Sequence, residues 1–139
     1  MNIKKLWGSW DLISFSHTIL ETKVKTNIMG DNPNGTIIFT EDNCVSVIIT
    51  NESRRTSNKI EDSNYLYNSM MAYMGRYDLN GNKCDFHIEI SWNPSWVGLT
   101  LQREIILEDD KLIINTLQQV GIDGNLSTAT LTWKRKNNI

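Results

Sequence analysis

Apolar and polar positions alternate along most of this chain, in short runs separated by polar links. A period of two marks a strand that buries one face, since successive side chains point to opposite sides of a sheet. The alternation is loose from Leu6 to Ser16 and weaker from Lys23 to Ile28. Thr36 to Thr40 and Val45 to Thr50 flank the tight polar link Glu41-Asp42-Asn43, which predicts a hairpin. Arg76 to Leu79 and Lys83 to Ser91 are predicted strands joined at Asn80-Gly81, a strong hairpin signal. Leu99 to Leu107, Lys111 to Leu117 and Leu126 to Arg135 follow, separated by Glu108-Asp109-Asp110 and by Gly121-Ile122-Asp123-Gly124.

One segment breaks the rhythm. After the polar stretch from Asn51 to Asn58, the residues Ile60 to Met74 carry Tyr65, Met70, Met71, Tyr73 and Met74 without a β-branched run, which predicts a helix. Gly75 follows, where a helix C-terminus favours a residue free to adopt a left-handed backbone. On this reading Met70, Met71 and Met74 pack the helix onto the sheet, although flexible methionines also suit a pocket that adapts to its ligand.

Eight or nine short strands with hairpin-length links must each bury a face and cannot leave long bare edges, so closure into a barrel is expected. A barrel of roughly eight to ten strands leaves room for a small ligand. The predicted architecture is all-β: one antiparallel barrel over residues 1–139, a single domain, with one short helix.

Composition narrows the function. A chain of 139 residues is one domain's worth, and 40% hydrophobic with 22% charged residues is ordinary for a globular protein. A net charge of -2 gives no electrostatic footprint for nucleic acid or an anionic membrane, and Lys134-Arg135-Lys136 reads as a solvated terminus. No apolar run is long enough for a signal peptide or a membrane span, so a cytoplasmic location is expected. Cys44 and Cys84 form neither a metal-type nor a redox-type pair and are expected to stay reduced, as small core or near-core residues. There is no phosphate-binding Gly loop, Cys-x-x-Cys site, nucleophile elbow or zincin motif, and no cofactor is expected.

Several segments recur together in a known order: Leu6-Trp7-Gly8-Ser9-Trp10-Asp11-Leu12, Asn34-Gly35-Thr36-Ile37-Ile38-Phe39-Thr40 and Ala72-Tyr73-Met74-Gly75-Arg76-Tyr77. They continue with His87-Ile88-Glu89, Asn93-Pro94-Ser95-Trp96-Val97-Gly98, Arg103 and Leu131-Thr132-Trp133-Lys134-Arg135. In these the chain resembles, nearly end to end, the lipocalin-like domain family of small bacterial and fungal proteins. The resemblance implies a lipocalin-like, calycin-type barrel. Gly8-x-Trp10 and the basic residue on the last strand are similar to true lipocalins, where the indole plugs one barrel end and an Arg lies across it; that implies a Trp10–Arg135 pair. The chain departs from the pattern in lacking a Gly within Glu41-Asp42-Asn43 and in the polarity of Lys59 to Leu66.

Residue chemistry has to supply the rest, because barrels of this shape host both carriers and enzymes. Alternation puts Arg103 on one face with Leu99, Leu101, Ile105 and Leu107. A guanidinium is rarely buried without an anionic partner. Arg103 either forms an internal ion pair, with Glu89 a candidate, or snorkels to the mouth, or holds an anionic or carbonyl group of a ligand.

His87, Glu89 and Ser91 share one face of their strand, opposite Phe86, Ile88 and Ile90. Alternation alone sends the His side to water. The family resemblance implies instead an inward His beside the Arg and two Tyr, which would gather His87, Glu89, Tyr73, Tyr77 and Arg103 into a polar patch inside an apolar cavity. Metal binding at His87 and Glu89 lacks a third ligand, because His17 reads as an exposed strand-end residue. Trp92 to Trp96 form either a packed rim or a lid, and Trp133 shares a face with Leu131 and Ala129 as core or cavity wall.

The predicted ligand-binding set is therefore Tyr73, Tyr77, His87, Glu89, Trp96, Arg103 and Trp133, around a small hydrophobic or amphipathic molecule, in a monomer or homodimer. Two functions fit it. One is non-catalytic binding or carriage. The other is a cofactor-free isomerase or cyclase of natural-product-type substrates, with His87 or Tyr73 moving a proton and Arg103 stabilising an enolate.

Overall fold

Each predicted strand must send one parity of side chains inward, and closure of the sheet decides which. The computed structural model describes residues 2–120 and 124–136. Its strands are β1 (Gly8–Ile19), β2 (Lys25–Thr26), β3 (Asn34–Phe39), β4 (Cys44–Thr50), β5 (Met70–Asn80), β6 (Lys83–Ser91), β7 (Thr100–Glu108), β8 (Lys111–Thr116), β9 (Gln119–Val120) and β10 (Leu126–Arg135). They form one ten-stranded antiparallel sheet in the order β2-β1-β3-β4-β5-β6-β7-β8-β10-β9. A further β1–β10 pairing closes eight of them into a barrel, with the two-residue β2 and β9 laid against β1 and β10.

The hairpins follow from turn chemistry. Asn43 and Asp109 adopt left-handed backbone, with φ of 66° and 52°, which short polar side chains tolerate. Asn43 thereby fills the place of the Gly missing from Glu41-Asp42-Asn43. Gly81, with φ of 64°, turns β5 into β6. Most of the turn predicted at 121–124 lies outside the described residues.

The predicted helix is mostly absent. A 3-10 turn at Ile60–Asp62 leads into α1 (Ser63–Asn68), and Met70 already belongs to β5. Pairing of Met70 to Arg76 with β4 overrides their helical propensity, because the sheet offers a buried face that a lone helix would have to find elsewhere. Met71 is buried inside the barrel, so the methionines do not pack a helix onto it. Gly75 is correspondingly no helix cap. It lies in mid-strand opposite Ile88, where a Cβ would stand 1.9 Å from the His87 carbonyl oxygen.

Two bulges reset the inward parity. In β1 the pairing steps from Leu12↔Trp133 to Ser14↔Thr132, leaving Ile13 as the extra residue. The buried set accordingly changes from Trp10 and Leu12 to Phe15 and His17. In β6, Ile88 faces Gly75 and Ile90 faces Met74, so Glu89 is extra. Ile90, inward by plain alternation, is turned out and 64% exposed.

One end of the barrel is closed by aromatic packing. Trp10 is fully buried, and its indole N–H donates to the Leu6 carbonyl at 2.9 Å. The Arg135 guanidinium lies 4.0 Å from the centre of the Trp10 ring and donates to the Trp7 and Lys5 carbonyls, as the resemblance implied. Tyr77 packs edge-on to Phe39 with centroids 5.1 Å apart and donates its hydroxyl to the Thr40 carbonyl at 2.9 Å. Burial raises the Tyr77 phenol pKa and pushes the Cys84 thiol up to about 12. Both cysteines are free, and no helix among the described residues is long and apolar enough to cross a membrane.

Two expected outcomes follow from this packing. Gly75→Ala forces backbone apart and should lower stability in urea unfolding by about 3 kcal/mol or more. Gly81→Ala meets no atom within 4 Å and should cost only the left-handed strain, about 1–2 kcal/mol. Equal losses would mean that the strands at Gly75 separate easily.

The second concerns alkaline pH. Cys84 and Tyr77 keep their protons to higher pH in the folded state than in the unfolded one, so the unfolded chain binds fewer protons once pH exceeds their ordinary values. Stability is then fully present below about pH 9 and falls as pH rises toward 12, the window set by the Cys84 thiol. Cys84→Ala should flatten that fall in denaturant unfolding followed across pH; an unaltered slope would remove Cys84 from the account.

Candidate functional site

Inside the barrel, away from the Trp10 plug, lies a cavity of about 40 Å³. Phe15, Ile37, Met71, Phe86, Ile114 and Leu131 give it an apolar wall. Its polar lining comes from His17, Arg103, Thr116, Gln119 and Ser127. Each reaches the interior through the strand parity already described: Arg103 from the Leu101–Ile105 face of β7, His17 through the bulge in β1, and Ser127 from the Ala129–Leu131 face of β10.

The polar residues form a row across the wall. His17 pairs with Ala129, and Thr116 pairs with Arg103. Between those pairs, the Ala129 backbone N–H donates to the Thr116 hydroxyl at 2.8 Å rather than to a carbonyl, where β8 and β10 part. The parting makes room for β9, whose Gln119 pairs with Ser127.

Arg103 is only 5% exposed. Its Nη1 donates to the Gln119 side-chain oxygen at 2.9 Å and to the Gln102 carbonyl at 3.2 Å, and its Cζ lies 5.8 Å from the Phe86 ring centre. No carboxylate among the described residues lies within ion-pair distance of it. His17 is 4% exposed, with no partner for Nε2, and the Trp133 indole nitrogen is likewise buried without a partner among the described residues. Buried polar atoms are nearly always paired, so two such atoms around one cavity are a chemical signal.

The mouth is framed by aromatics. Trp96 sits on a 3-10 turn, Pro94–Trp96, capped by the Asn93 side chain, and its ring lies 5.5 Å from Tyr73 and 5.0 Å from Trp92. Trp92 is held in turn by α1, donating its indole N–H to the Tyr67 carbonyl at 3.2 Å. Trp92 therefore packs the rim, while Trp96 reaches the cavity itself.

Of the predicted set, Tyr73, Trp96, Arg103 and Trp133 line the cavity. Tyr77, His87 and Glu89 do not. Tyr77 belongs to the closed end. His87 lies on the outer wall with its side chain 45% exposed, its Nε2 2.8 Å from Asp78 and its Nδ1 3.0 Å from the Thr100 hydroxyl. Glu89 is outside too, 3.4 Å from Arg76, and it is no partner for Arg103. Plain alternation placed His87 correctly, because the bulge in β6 lies beyond it. His17 is the reverse case: it is buried, not an exposed strand end. A phase slip from Trp10 and Leu12 to Phe15 is visible in the sequence and signals the bulge that turns it in. Gln119 carried no such signal, since β9 is too short to show a period, whereas Ser127 continues the Ala129, Leu131 and Trp133 face of β10 by plain alternation. Among the described residues no group of His, Cys, Asp and Glu side chains could hold a metal ion.

The 4'-hydroxy-3'-methoxypropiophenone carrier protein ppsC of Aspergillus oryzae is 29% identical over 73 residues, a match covering 47% of this chain and 66% of that protein, just under two thirds of its length. The crystal structure of Burkholderia cenocepacia BcnA is similar with a TM-score of 0.46 at 7% identity, over 92% of this chain and 96% of that one. The model of the lipocalin-like domain matches residues 7–136, nearly the whole chain, and with its closed barrel and interior cavity the protein belongs to the lipocalin-like domain family.

Proposed function

We propose that this protein binds and carries a small amphipathic molecule inside its barrel, without transforming it. The observation that carries this reading is the mismatch between wall and polar lining: an apolar chamber lined by Arg103 and by His17 and Trp133, whose buried ring nitrogens no described residue satisfies. A ligand with an apolar body and acceptor atoms satisfies both, and each Å² of its apolar surface removed from water contributes about 25 cal/mol. The similarity to a carrier of an aromatic ketone supports the same class of ligand. The isomerase or cyclase reading loses one of its two acid–base candidates, since His87 sits on the outer wall, while Tyr73 and Arg103 stay at the cavity and no described residue pairs them as base and enolate holder.

The cavity is narrow. Its 40 Å³ is far below the roughly 300–1,000 Å³ of ligand pockets, so binding has to move part of the wall. Trp96 is the part best placed to move: it is half-buried and stands on a single 3-10 turn outside the strands, so its side chain can rotate while Gly98 and Leu99 stay bonded to Ile88 of β6. The same ring borders a second hollow on the outside, with Leu99, Leu101 and Gln119, so a rotation of Trp96 joins that hollow to the interior.

Titration with 4'-hydroxy-3'-methoxypropiophenone, followed by tryptophan fluorescence and by native mass spectrometry, should give a saturable one-to-one complex. Ala129→Phe fills the chamber and should weaken it about tenfold or more while the far-ultraviolet dichroism of the barrel persists. Undiminished binding in that variant would place the ligand elsewhere. In stopped-flow mixing, Trp96→Ala should raise the association rate several-fold; an unaltered rate would show that Trp96 does not gate entry.

A further inference from the structure

Taking the cavity as a ligand site, we infer that the polar end of the ligand is a carboxylate, seated on Arg103 with His17 beside it. The argument starts from charge. A guanidinium carries a fixed positive charge, and a buried cation without a counter-charge is strongly disfavoured. The described residues give Arg103 only neutral partners, the Gln119 amide oxygen and the Gln102 carbonyl. Both act on Nη1. The edge formed by Nε and Nη2 has no hydrogen bond to any described residue, and two N–H donors along one edge are what a carboxylate takes side-on.

The lining is also lopsided. Arg103, the Gln119 amide, the Thr116 hydroxyl and the Trp133 indole all carry donors, the Ser127 hydroxyl is turned to the Gln119 carbonyl, and among the described residues the only carbonyl-type side-chain oxygen in the lining, that of Gln119, is already engaged. His17 Nε2 adds another donor in the tautomer that carries hydrogen there. A chamber of this kind selects a ligand that brings acceptors and negative charge. A neutral carbonyl or alcohol would satisfy hydrogen bonds and leave the charge of Arg103 as it was.

The row of paired residues sets the geometry. His17, Ala129, Thr116 and Arg103 lie across β1, β10, β8 and β7 with all four side chains inward. Ala129, between His17 and Thr116, has the smallest side chain of the four, so a head group can lie between the imidazole and the guanidinium. Phe15, Phe86, Ile114 and Leu131 then receive the apolar body. Glu89, once a candidate partner for Arg103, is engaged by Arg76 on the outside and does not compete.

Two matched pairs of probes test this: 3-phenylpropionate against 3-phenylpropanol, and decanoate against 1-decanol, titrated calorimetrically into the full chain. Each acid should bind at least about tenfold more tightly than its alcohol, and Arg103→Met should abolish that preference while leaving the alcohol affinity within about threefold. Equal binding of acid and alcohol by the wild-type protein would overturn the carboxylate and leave the cavity reading standing. Binding of none of the four would overturn both. Acid preference retained in Arg103→Met would move the anion site away from Arg103. If that variant fails to fold, the wild-type protein decides: the Arg103 Nε–H resonance should shift on adding acid and not on adding alcohol, and an unmoved resonance would overturn the assignment.

Discussion

β1 is bonded on two sides, through its first residues to β3 and through almost its whole length to β10, and this double pairing converts a meander of hairpins into a closed wall. Closure leaves the barrel strands with no long bare edge. It also forces every inward side chain into one shared interior, so the identity of each buried residue is a matter of register. The last strand reaches β1 from the far end of the chain, and the Arg135 guanidinium over Trp10 fastens the two where they meet. Plug and closure are therefore one feature: the residue that seals the barrel end is held by the strand that closes its side.

The bulge at Ile13 gives that closure a chemical consequence. Without it, Ser14 and Ser16 would continue the inward face begun by Trp10 and Leu12. With it, Phe15 and His17 turn in, which adds an aromatic wall and a buried imidazole to the cavity. The second bulge, at Glu89, acts oppositely, turning Ile90 out just before the chain reaches the aromatic rim at Trp92 and Trp96. One extra residue in each of two strands thus decides much of the difference between a solid core and a lined chamber.

Period and turn chemistry made most of the barrel legible. Asn80-Gly81 and Glu41-Asp42-Asn43 mark hairpins that form, and the β7 alternation puts Arg103 inside. Ile60 to Met74 misled because Met, Tyr and Ala fit a helix locally, whereas pairing with β4 is a long-range fact that no local window contains. The site was half legible. Arg103 and Trp133 follow from strand faces and Trp96 from the turn-rich rim, whereas Tyr73, read as part of the helix, entered only through family resemblance. His17 was hidden by a parity change, and His87 was drawn inward only by family resemblance, against its own strand's alternation. At His87 the period held against the resemblance, because hydrogen-bonded neighbours fix the face of a mid-strand residue whatever a relative carries at that position.

A cavity that is narrow yet holds a guanidinium and unpaired ring nitrogens is a poor solution for stability alone. Apolar residues of similar size at positions 17 and 103 would fill the interior and remove the desolvation cost of the charge, and such replacements of buried ionic groups are often neutral or stabilising. The rest of the barrel shows that this sequence packs well where packing is all that is required: Leu6, Trp10, Val45, Cys84 and Leu112 are buried completely. The contrast within one continuous interior, between a sealed apolar end and a loosely filled polar one, separates the part of the barrel that holds the fold from the part that lines the cavity. Trp96 stands at that second end on a single turn, its ring against Tyr73 of β5 and Trp92 and away from the β1–β10 seam, so the wall can yield there without loosening that closure.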